Sequence, residues 1–230
     1  MQPLFVRDNL RCVIVALLMA LSTSASADVD DEFRKWSYRI RGWPYTAELT
    51  HISKDLISNW LAAEKSSDAR ERIITLRETI KKHGYFVYFI HFKGHDNGNK
   101  VTWSMSLASR TAYLQITEPA PKKYYPVAYS GNLDSPMTGY NDYYGVLVFK
   151  TPADEFSFQS VTIDVTRGAW RERCPNHSPE PCSSETKSLP FAFHPNGVPS
   201  DNQGSSLSVA DIVGVLRLVL PILRALPARS

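Results

Sequence analysis

Two histidines and an aspartate are the best candidate for a metal site in this sequence. His91 lies in an aromatic-rich run, and His95 and Asp96 follow it in GHDNGN, residues 94–99. Side chains four residues apart would share a face of a helix, but this stretch has the composition of a strand end and a hairpin turn. A transition-metal site needs three or four converging ligands. We therefore expect one strand histidine and one turn histidine, and neither a metal nor a cofactor.

Motifs for covalent or phosphate chemistry are missing from the sequence. No segment has the spacing of a nucleophile elbow, a phosphate loop, a His-Glu-x-x-His helix or a catalytic carboxylate pair. A dispersed triad leaves no local trace, yet a fold supports chemistry only through a site. We expect a protein that is not an enzyme. An extracytoplasmic hydrolase without a recognisable motif is the alternative.

A short basic and aromatic segment, KWSYRIRGWPY, occupies residues 35–45. Its alternation puts Trp36, Tyr38 and Ile40 on one side and Ser37, Arg39 and Arg41 on the other. This is the period of a half-buried strand. The polar side is either a strip that binds an anionic ligand or an edge strand whose arginines discourage further pairing. The second interpretation is favoured.

The tyrosine-rich segment GYNDYYGVLVFK, residues 139–150, predicts a strand that is apolar on both faces. Tyr144, Val146 and Val148 share one face; Tyr143, Gly145, Leu147 and Phe149 share the other. One face is expected to pack on an opposite sheet and the other on helices. The loop before the strand can present rings and amides to a glycan or a protein, because binding residues concentrate on loops of rigid scaffolds. The candidate binding residues are Tyr129, Asn132, Tyr140, Asn141 and Asp142.

Residues 1–27 have the layout of an export signal. Arg7 and Arg11 precede the apolar run 13–21, which is too short to cross a bilayer, and the small residues of STSASA end at Ala27. We expect cleavage near Ala27 and a location in the periplasm, in the cell envelope or outside the cell.

The net charge argues against nucleic-acid binding, and the cysteine content predicts a disulfide. Cleavage removes Arg7, Arg11 and Asp8 and lowers the formal net charge from +3 to +2, with no clustered basic footprint for nucleic acid. Of the three cysteines, Cys174 and Cys182 then remain, and in an exported chain they predict one disulfide.

The periodicity predicts an α+β chain. Apolar residues recur at helical spacing over 47–64 and again from Ser66 or Ser67 to His83, where Gly84 can end the helix. From Tyr85 to about residue 166, some seven short strands follow one another with turn residues between them. Two antiparallel sheets packed face to face satisfy such a pattern.

Residues 122–152, KKYYPVAYSGNLDSPMTGYNDYYGVLVFKTP, resemble the later strands of telokin-like immunoglobulin-fold domains of secreted bacterial proteins. In those domains a K-x-Y-x-P strand is followed by a loop and a G-x-L-V-F-x-x-P strand. This chain differs in having no lipid-anchoring cysteine and in having a helical pair before the sheet. The resemblance implies an immunoglobulin-like fold and an exported location. It implies no catalytic residues, because these domains have none in common.

The last apolar segment, LSVADIVGVLRLVLPILRALPARS, predicts an amphipathic tail helix over 207–226. The helix either lies on a membrane surface, through Val209, Leu216, Leu223 and Arg217, or docks on this protein or a partner. A cleaved lipid-anchor signal is disfavoured by Asp211, Arg217 and Arg224.

Together these patterns predict an N-terminal helical pair packed on an immunoglobulin-like antiparallel β-sandwich, followed by a C-terminal amphipathic helix. The expected segments are a signal peptide (1–27), a strand and helical pair (28–84), a β-sandwich (85–182), a linker (183–206) and the tail helix (207–226). The expected function is an exported non-enzymatic binding or envelope-associated module.

Overall fold

The structure, a computed structural model, describes residues 29–42, 45–94, 101–104, 111–117, 121–131, 137–138, 142–151, 158–169, 184–204 and 209–226. These residues form a mixture of helices and antiparallel sheets. The helices are α1 (29–35), α2 (Lys54–Ala63), α3 (Ser67–His83) and α4 (Val209–Ala225), with a short 3-10 turn at Ser200–Asn202.

The first sheet has five strands in the order β1-β2-β3-β9-β7, all antiparallel. Its strands are β1 (Ser37–Gly42), β2 (Tyr45–His51), β3 (Tyr85–Gly94), β9 (Asp142–Lys150) and β7 (Pro126–Gly131). Strand β3 lies at the centre, as its aromatic and β-branched composition predicts, because a central strand is buried on both faces.

The second sheet is built around β10 (Gln159–Ala169). One edge of β10 pairs with β11 (Ser184–Phe193), and the other pairs with β5 (Tyr113–Ile116) and β4 (Val101–Ser104). Strands β6 (Lys122–Tyr124) and β8 (Met137–Thr138) then pair with β5 and β4.

Two apolar clusters lie on opposite faces of the first sheet. On one face, residues such as Leu49, Tyr88 and Leu147 cluster with Ile163 and Phe191 of the second sheet. On the other face, called here the outer face, strand residues cluster with the helices: Phe89, Val146, Trp60, Leu76 and Leu220. The β9 alternation is confirmed, since Tyr143, Leu147 and Phe149 belong to the first cluster and Tyr144, Val146 and Val148 to the second.

Local capping signals fix the ends of α3. The Ser66 hydroxyl accepts a hydrogen bond from the backbone N–H of Ala69, and Gly84 ends the helix in the left-handed conformation at φ 63°. Lys81, Lys82 and His83 occupy the last turn, at the negative end of the helix dipole. The capping predictions at both ends of this helix are confirmed.

The helix predicted over 47–64 is wrong in its first part. Residues 45–51 form strand β2, and the helix begins only at Lys54, where the Ser53 hydroxyl accepts from the Leu56 N–H. Pairing on both edges of β2 decides the conformation, because Tyr45, Ala47 and Leu49 then join the apolar cluster that contains residues of both sheets. Contacts far along the chain override the local apolar spacing.

The linker predicted over 183–206 is also wrong in its first part. Residues Ser184–Phe193 form β11, which pairs along almost the whole length of β10. Leu189, Phe191 and Phe193 alternate into the core, whereas Pro190 and the polar residues 184–188 give the segment a loop-like composition. Pro190 is tolerated because β11 is an edge strand among the described residues.

The segment from 194 to 204 crosses from β11 to the free edge of β1. The Val198 N–H bonds the Lys35 carbonyl at 2.7 Å, and the Gly204 N–H bonds the Ser37 carbonyl at 2.6 Å. A single antiparallel bridge joins Tyr38 and Gln203. This strap satisfies backbone groups that an edge strand would otherwise leave open.

Candidate functional site

Polar side chains gather at one end of the outer face of the first sheet, beyond the area that the helices cover. The strand register aligns Arg39, Glu48, His91 and Tyr144 in one row and Arg41, Thr46, Lys93 and Asp142 in the next. Residues directly opposite on neighbouring antiparallel strands have Cβ atoms about 4.5–5.5 Å apart. We call the seven side chains described here the polar face: Arg39, Arg41, Thr46, Glu48, His91, Lys93 and Tyr144.

A buried ion pair anchors the polar face. Arg39 Nε donates to Glu48 Oε2 at 2.8 Å, and Arg39 Nη2 lies 2.6 Å from the same oxygen. The side chains are only 11% and 2% exposed. Within the described part of the chain, Glu48 Oε1 has no hydrogen-bond partner. The pair therefore fixes the arginine and leaves part of the carboxylate's hydrogen-bonding capacity unused.

An aromatic stack adjoins the ion pair. The His91 ring stacks on Tyr144 with centroids 4.7 Å apart and planes 11° apart, and Tyr144 stacks on Phe89 at 5.7 Å. His91 and Tyr144 are half-buried, whereas Arg41 in the next row is exposed. The polar face thus combines three cationic side chains, one carboxylate and a ring surface, a set suited to charged ligands that also offer a flat or apolar side.

The predicted loop residues fall partly on this site. Asp142 pairs in register with Lys93, so the start of β9 and the polar face are adjacent. Tyr129 instead pairs with Leu147, which belongs to the cluster on the opposite face of the first sheet, and therefore lies on that face. Asn132, Tyr140 and Asn141 lie outside the described residues, and their binding role stays a prediction.

Other predicted site residues also lie outside the described part of the chain. Cys174 and Cys182 are among them, so their disulfide stays a prediction, and so are His95 and Asp96. His91 lies on a strand, as the sequence indicates. Among the described residues no group of three or more His, Cys, Asp or Glu side chains could hold a metal ion.

A second histidine, His51, is buried in an aromatic cage. It stacks on Tyr88 at 4.8 Å and on Phe86 at 5.8 Å, and it meets Trp36 and Phe193 edge-on. Burial, together with the charge of Lys54, lowers the pKa of His51 from 6.5 to about 3. Its Nδ1 has no hydrogen-bond partner among the described residues. A neutral histidine enclosed in this way acts as a core residue.

A groove of about 520 Å³ lies between α1 and α2, lined by Val29, Asp31, Glu32, Lys35, Asn59, Ala62 and Ala63. Its charged side chains are engaged in short-range pairs. Asp31 lies 3.1 Å from Arg34, and Glu32 lies 3.3 Å from Lys35 and accepts from the Trp36 ring N–H. Asp31, Glu32 and Lys35 of the groove therefore already have partners on α1.

The tail helix packs on its own chain. Leu216, Val219, Leu220 and Leu223 are buried in the helix-covered cluster, while Arg217 and Arg224 are exposed. A membrane contact through Leu216 and Leu223 would require α4 to leave this position, so the membrane-surface role stays a prediction. No described helix combines the length and the apolar character needed to span a bilayer.

Comparisons with known proteins leave the family open. No family model and no curated protein matches the sequence. Among solved structures, the ASH/PapD-like domain 7 of human CEP192 resembles 47% of this chain over 70% of its own length, at 12% identity and a TM-score of 0.28. A structure titled "AvmM Catalyzes Macrocyclization in Alchivemycin A Biosynthesis" resembles 50% of the chain over 82% of its own length, at 10% identity and a TM-score of 0.21. Scores this low carry no argument about fold or function.

Sequence patterns identify four of the seven residues of the polar face. The alternation over 35–45 puts Arg39 and Arg41 on one side of a strand, the aromatic-rich run predicts His91 on a strand, and the alternation over 139–150 assigns Tyr144 to its face. The patterns miss three residues: Glu48 falls in the helix predicted over 47–64, Thr46 lies between that helix and the strand predicted over 35–45, and Lys93 carries no motif. Tyr45, Ala47, Leu49 and His51 alternate with polar residues, which is the pattern of a strand. That alternation would have placed Thr46 and Glu48 together on the other face.

Proposed function

We propose that this chain is an exported, non-enzymatic binding module that recognises an anionic ligand, a glycan or a peptide, on the polar face. The observation that carries the proposal is the four-strand register, which brings Arg39, Arg41, His91 and Lys93 together on one face. Export itself rests on the signal-like segment 1–27.

The chemistry of the polar face favours binding over catalysis. Arg41 and Lys93 supply charge at the rim, and the His91–Tyr144 stack supplies a ring surface beside it. The possible catalytic groups on this face are already bonded. The Ser37 hydroxyl is buried and bonded to the Thr50 hydroxyl at 2.7 Å, and Glu48 Oε2 accepts a hydrogen bond from Arg39. Tyr140, Asn141 and Asp142 would extend the contact from the adjoining loop, as the sequence predicts.

We further propose that the two sheets form an immunoglobulin-like sandwich of the telokin-like type, with α2 and α3 on the outer face of the first sheet. The support is the apolar cluster that contains residues of both sheets, and the second cluster that joins the first sheet to the helices. In this arrangement the polar face and the loops before β9 lie at one end of the sandwich, where binding loops are usually carried.

A binding assay with defined polyanions tests the function. Polygalacturonate and heparin are the anionic probes and dextran is the neutral one, each titrated at low and high salt. We expect only the anionic probes to bind. High salt should weaken their binding, because salt screens the attraction between exposed charges. The double variant Arg41→Gln/Lys93→Gln should weaken binding at least tenfold.

The matched control removes two cations elsewhere. Arg72 and Lys82 are exposed on α3, so Arg72→Gln/Lys82→Gln changes the net charge equally and leaves the polar face intact. Equal losses from the two double variants would mean non-specific attraction and would reject the polar face as the site.

The alternative of an extracytoplasmic hydrolase draws on one observation: the Glu48 carboxylate and the His91 ring are register partners on adjacent strands. Ester, peptide and glycoside substrates should be screened with the parent and with His91→Gln. Turnover that this substitution abolishes would replace the binding proposal.

Envelope association is a separate proposal that the exposed side of α4 allows us to test. Arg217→Glu/Arg224→Glu leaves the buried leucines unchanged and removes the cations that would meet anionic head groups. If the parent pellets with membranes and this variant is released, α4 contacts the surface through its arginines. If both are released, α4 serves only as a packing helix.

A further inference from the structure

The charge that the polar face presents to solvent is positive. Glu48, the carboxylate among its seven side chains, is 2% exposed and is held by Arg39, so it does not repel an anion that approaches from solvent. Arg41 is exposed and Lys93 is half-buried, and the two lie in the same register row on either side of Thr46. Neighbouring strands are about 4.7–4.9 Å apart, so the backbones of Arg41 and Lys93 are about 10 Å apart.

A third cation lies at the same end of the first sheet but belongs to the second sheet. Lys187 of β11 is exposed, and its Nζ lies 5.9 Å from the ring centroid of Tyr45. Tyr45 immediately precedes Thr46 and is the register partner of Gly42, where β1 ends and β2 begins. Its ring stacks on Phe92 with centroids 5.8 Å apart, and this stack fixes the ring over which Lys187 lies.

A second ring contact sets the direction of β11. Phe193 comes six residues after Lys187, His51 comes six residues after Tyr45, and the Phe193 and His51 rings meet edge-on with centroids 6.0 Å apart. Strand β11 therefore runs alongside β2 in the same direction. Lys187 consequently lies at the end of β2 that pairs with Arg41.

Lys93, Arg41 and Lys187, called here the basic run, follow one another around the edge of the first sheet. Packed sheets are about 10 Å apart, so in the proposed sandwich the second step of the run is about as long as the first. The run does not continue beyond Lys93, because the next register position, on β9, is Asp142. Cations spaced in this way match anionic groups spread over about 20 Å, which a single carboxylate, sulfate or phosphate does not provide.

The strands beneath the basic run favour a polysaccharide over a peptide. A peptide that binds in extended form gains affinity by pairing its backbone with an open strand edge. The basic run crosses β2 and β3, which are paired on both edges, and the strap bonds β1 at Ser37 and Tyr38. A polysaccharide with charged sugar units needs only the cations and, for its rings, the surface of the His91–Tyr144 stack.

We propose that the ligand of the polar face is a linear acidic polysaccharide, and that Lys187 on the second sheet is a specificity-determining residue that binds the far part of its chain. This inference rests on the proposed function of the polar face, to which it adds the class and length of the ligand. Each further contact acts on a chain that is already held, so affinity should rise with ligand length until the chain spans the basic run.

Calorimetric titration with galacturonate oligomers of increasing length, beginning with the monosaccharide, tests the proposal. The dissociation constant of the parent should fall as the oligomer lengthens. Lys187→Gln should raise the dissociation constant of long oligomers about two- to fivefold, the contribution of an exposed ion pair, and leave that of short oligomers unchanged. Lys187→Arg should retain the affinity of the parent. The control Lys150→Gln removes an exposed cation at the opposite end of β9 and should match the parent at every length.

The outcomes separate this inference from the function on which it rests. If no oligomer responds to Arg41→Gln/Lys93→Gln, the polar face is not the site and both proposals fail. If the oligomers bind the polar face but Lys187→Gln behaves like Lys150→Gln, or if affinity does not depend on length, the inference alone fails. Poly-glutamate that binds as tightly as a galacturonate oligomer of equal charge would also overturn it, in favour of an acidic peptide.

Chemical labelling of lysines locates the bound chain. Lys187 and Lys150 are both exposed, so an amine-reactive reagent should label both in the free protein. A long galacturonate oligomer should slow the labelling of Lys187 but not of Lys150, and a short oligomer should slow neither. Labelling of Lys187 at the same rate with and without the long oligomer would contradict the proposal.

Discussion

Gly204 lies against the buried carboxylate of Glu48. Its N–H bonds the Ser37 carbonyl at 2.6 Å, and a Cβ added at Gly204 would lie 2.5 Å from Glu48 Oε1 and 2.8 Å from Ser37 Cβ. The last residue of the strap therefore needs the smallest side chain, because an ion pair of the polar face lies directly beneath it.

Substitution of this glycine should destabilise the fold. We expect Gly204→Ala to lower the free energy of unfolding by about 1–3 kcal/mol, since a methyl group forced against packed atoms displaces them. Gly214→Ala is the control, because Gly214 is exposed on α4 with no atom within 4 Å of an added Cβ. The control should be stabilised by about 0.5–1 kcal/mol through helix propensity. Urea unfolding measures both, and a neutral Gly204→Ala would contradict the close approach.

Substitutions of Arg39 and Glu48 should have non-additive effects on the free energy of unfolding, because the two side chains form a buried ion pair. Arg39→Met should lower the free energy of unfolding by about 3–5 kcal/mol, because it leaves the Glu48 carboxylate buried without its cation. Adding Glu48→Leu should restore part of that loss, since no uncompensated charge remains. A double-mutant cycle by chemical denaturation measures the coupling, and additive losses would show that the two side chains are independent.

His51 predicts a loss of stability in acid. Burial and the charge of Lys54 lower its pKa from 6.5 to about 3, so below pH 6.5 the unfolded chain binds a proton that the folded chain excludes. The free energy of unfolding therefore falls as pH decreases from 6.5 toward 3, by about 1.4 kcal/mol per pH unit from this group.

The variant His51→Phe tests this assignment. It keeps a ring in the aromatic cage and removes the titrating group. Between pH 7 and pH 4.5 it should lose about 2–3 kcal/mol less stability than the parent. Denaturant titrations at several pH values give the comparison, and equal slopes would assign the acid sensitivity to other groups.

Substitutions on the buried side of the tail helix should lower the free energy of unfolding, whereas substitutions on its exposed side should not. Leu216 is 1% exposed, so Leu216→Ala should cost about 2–5 kcal/mol through lost apolar burial and the cavity left behind. Its exposed neighbour is the control: Arg217→Ala should stay within about 0.5 kcal/mol of the parent. Thermal unfolding of both measures the contrast. If Leu216→Ala were neutral, α4 would not be part of the core.

The sequence by itself determined the features that depend on neighbouring residues. Ser66 and Gly84 set the ends of α3 because capping bonds and a left-handed φ involve only residues a few positions apart. The alternation over 143–149 assigned each β9 side chain to its face, since successive residues of any strand point to opposite sides. The composition of 85–93 identified the central strand of the first sheet.

Tertiary structure decided the rest, because the deciding contacts join distant parts of the chain. Residues 45–51 became a strand through pairing with β1 and β3, and 184–193 became a strand through pairing with β10, although their local patterns indicated helix and linker. The polar face is likewise a product of register: Arg39, Glu48, His91 and Tyr144 are separated by up to about a hundred residues and meet only across four paired strands. Pairing partners and register depend on the burial of whole faces, and local sequence does not encode that information.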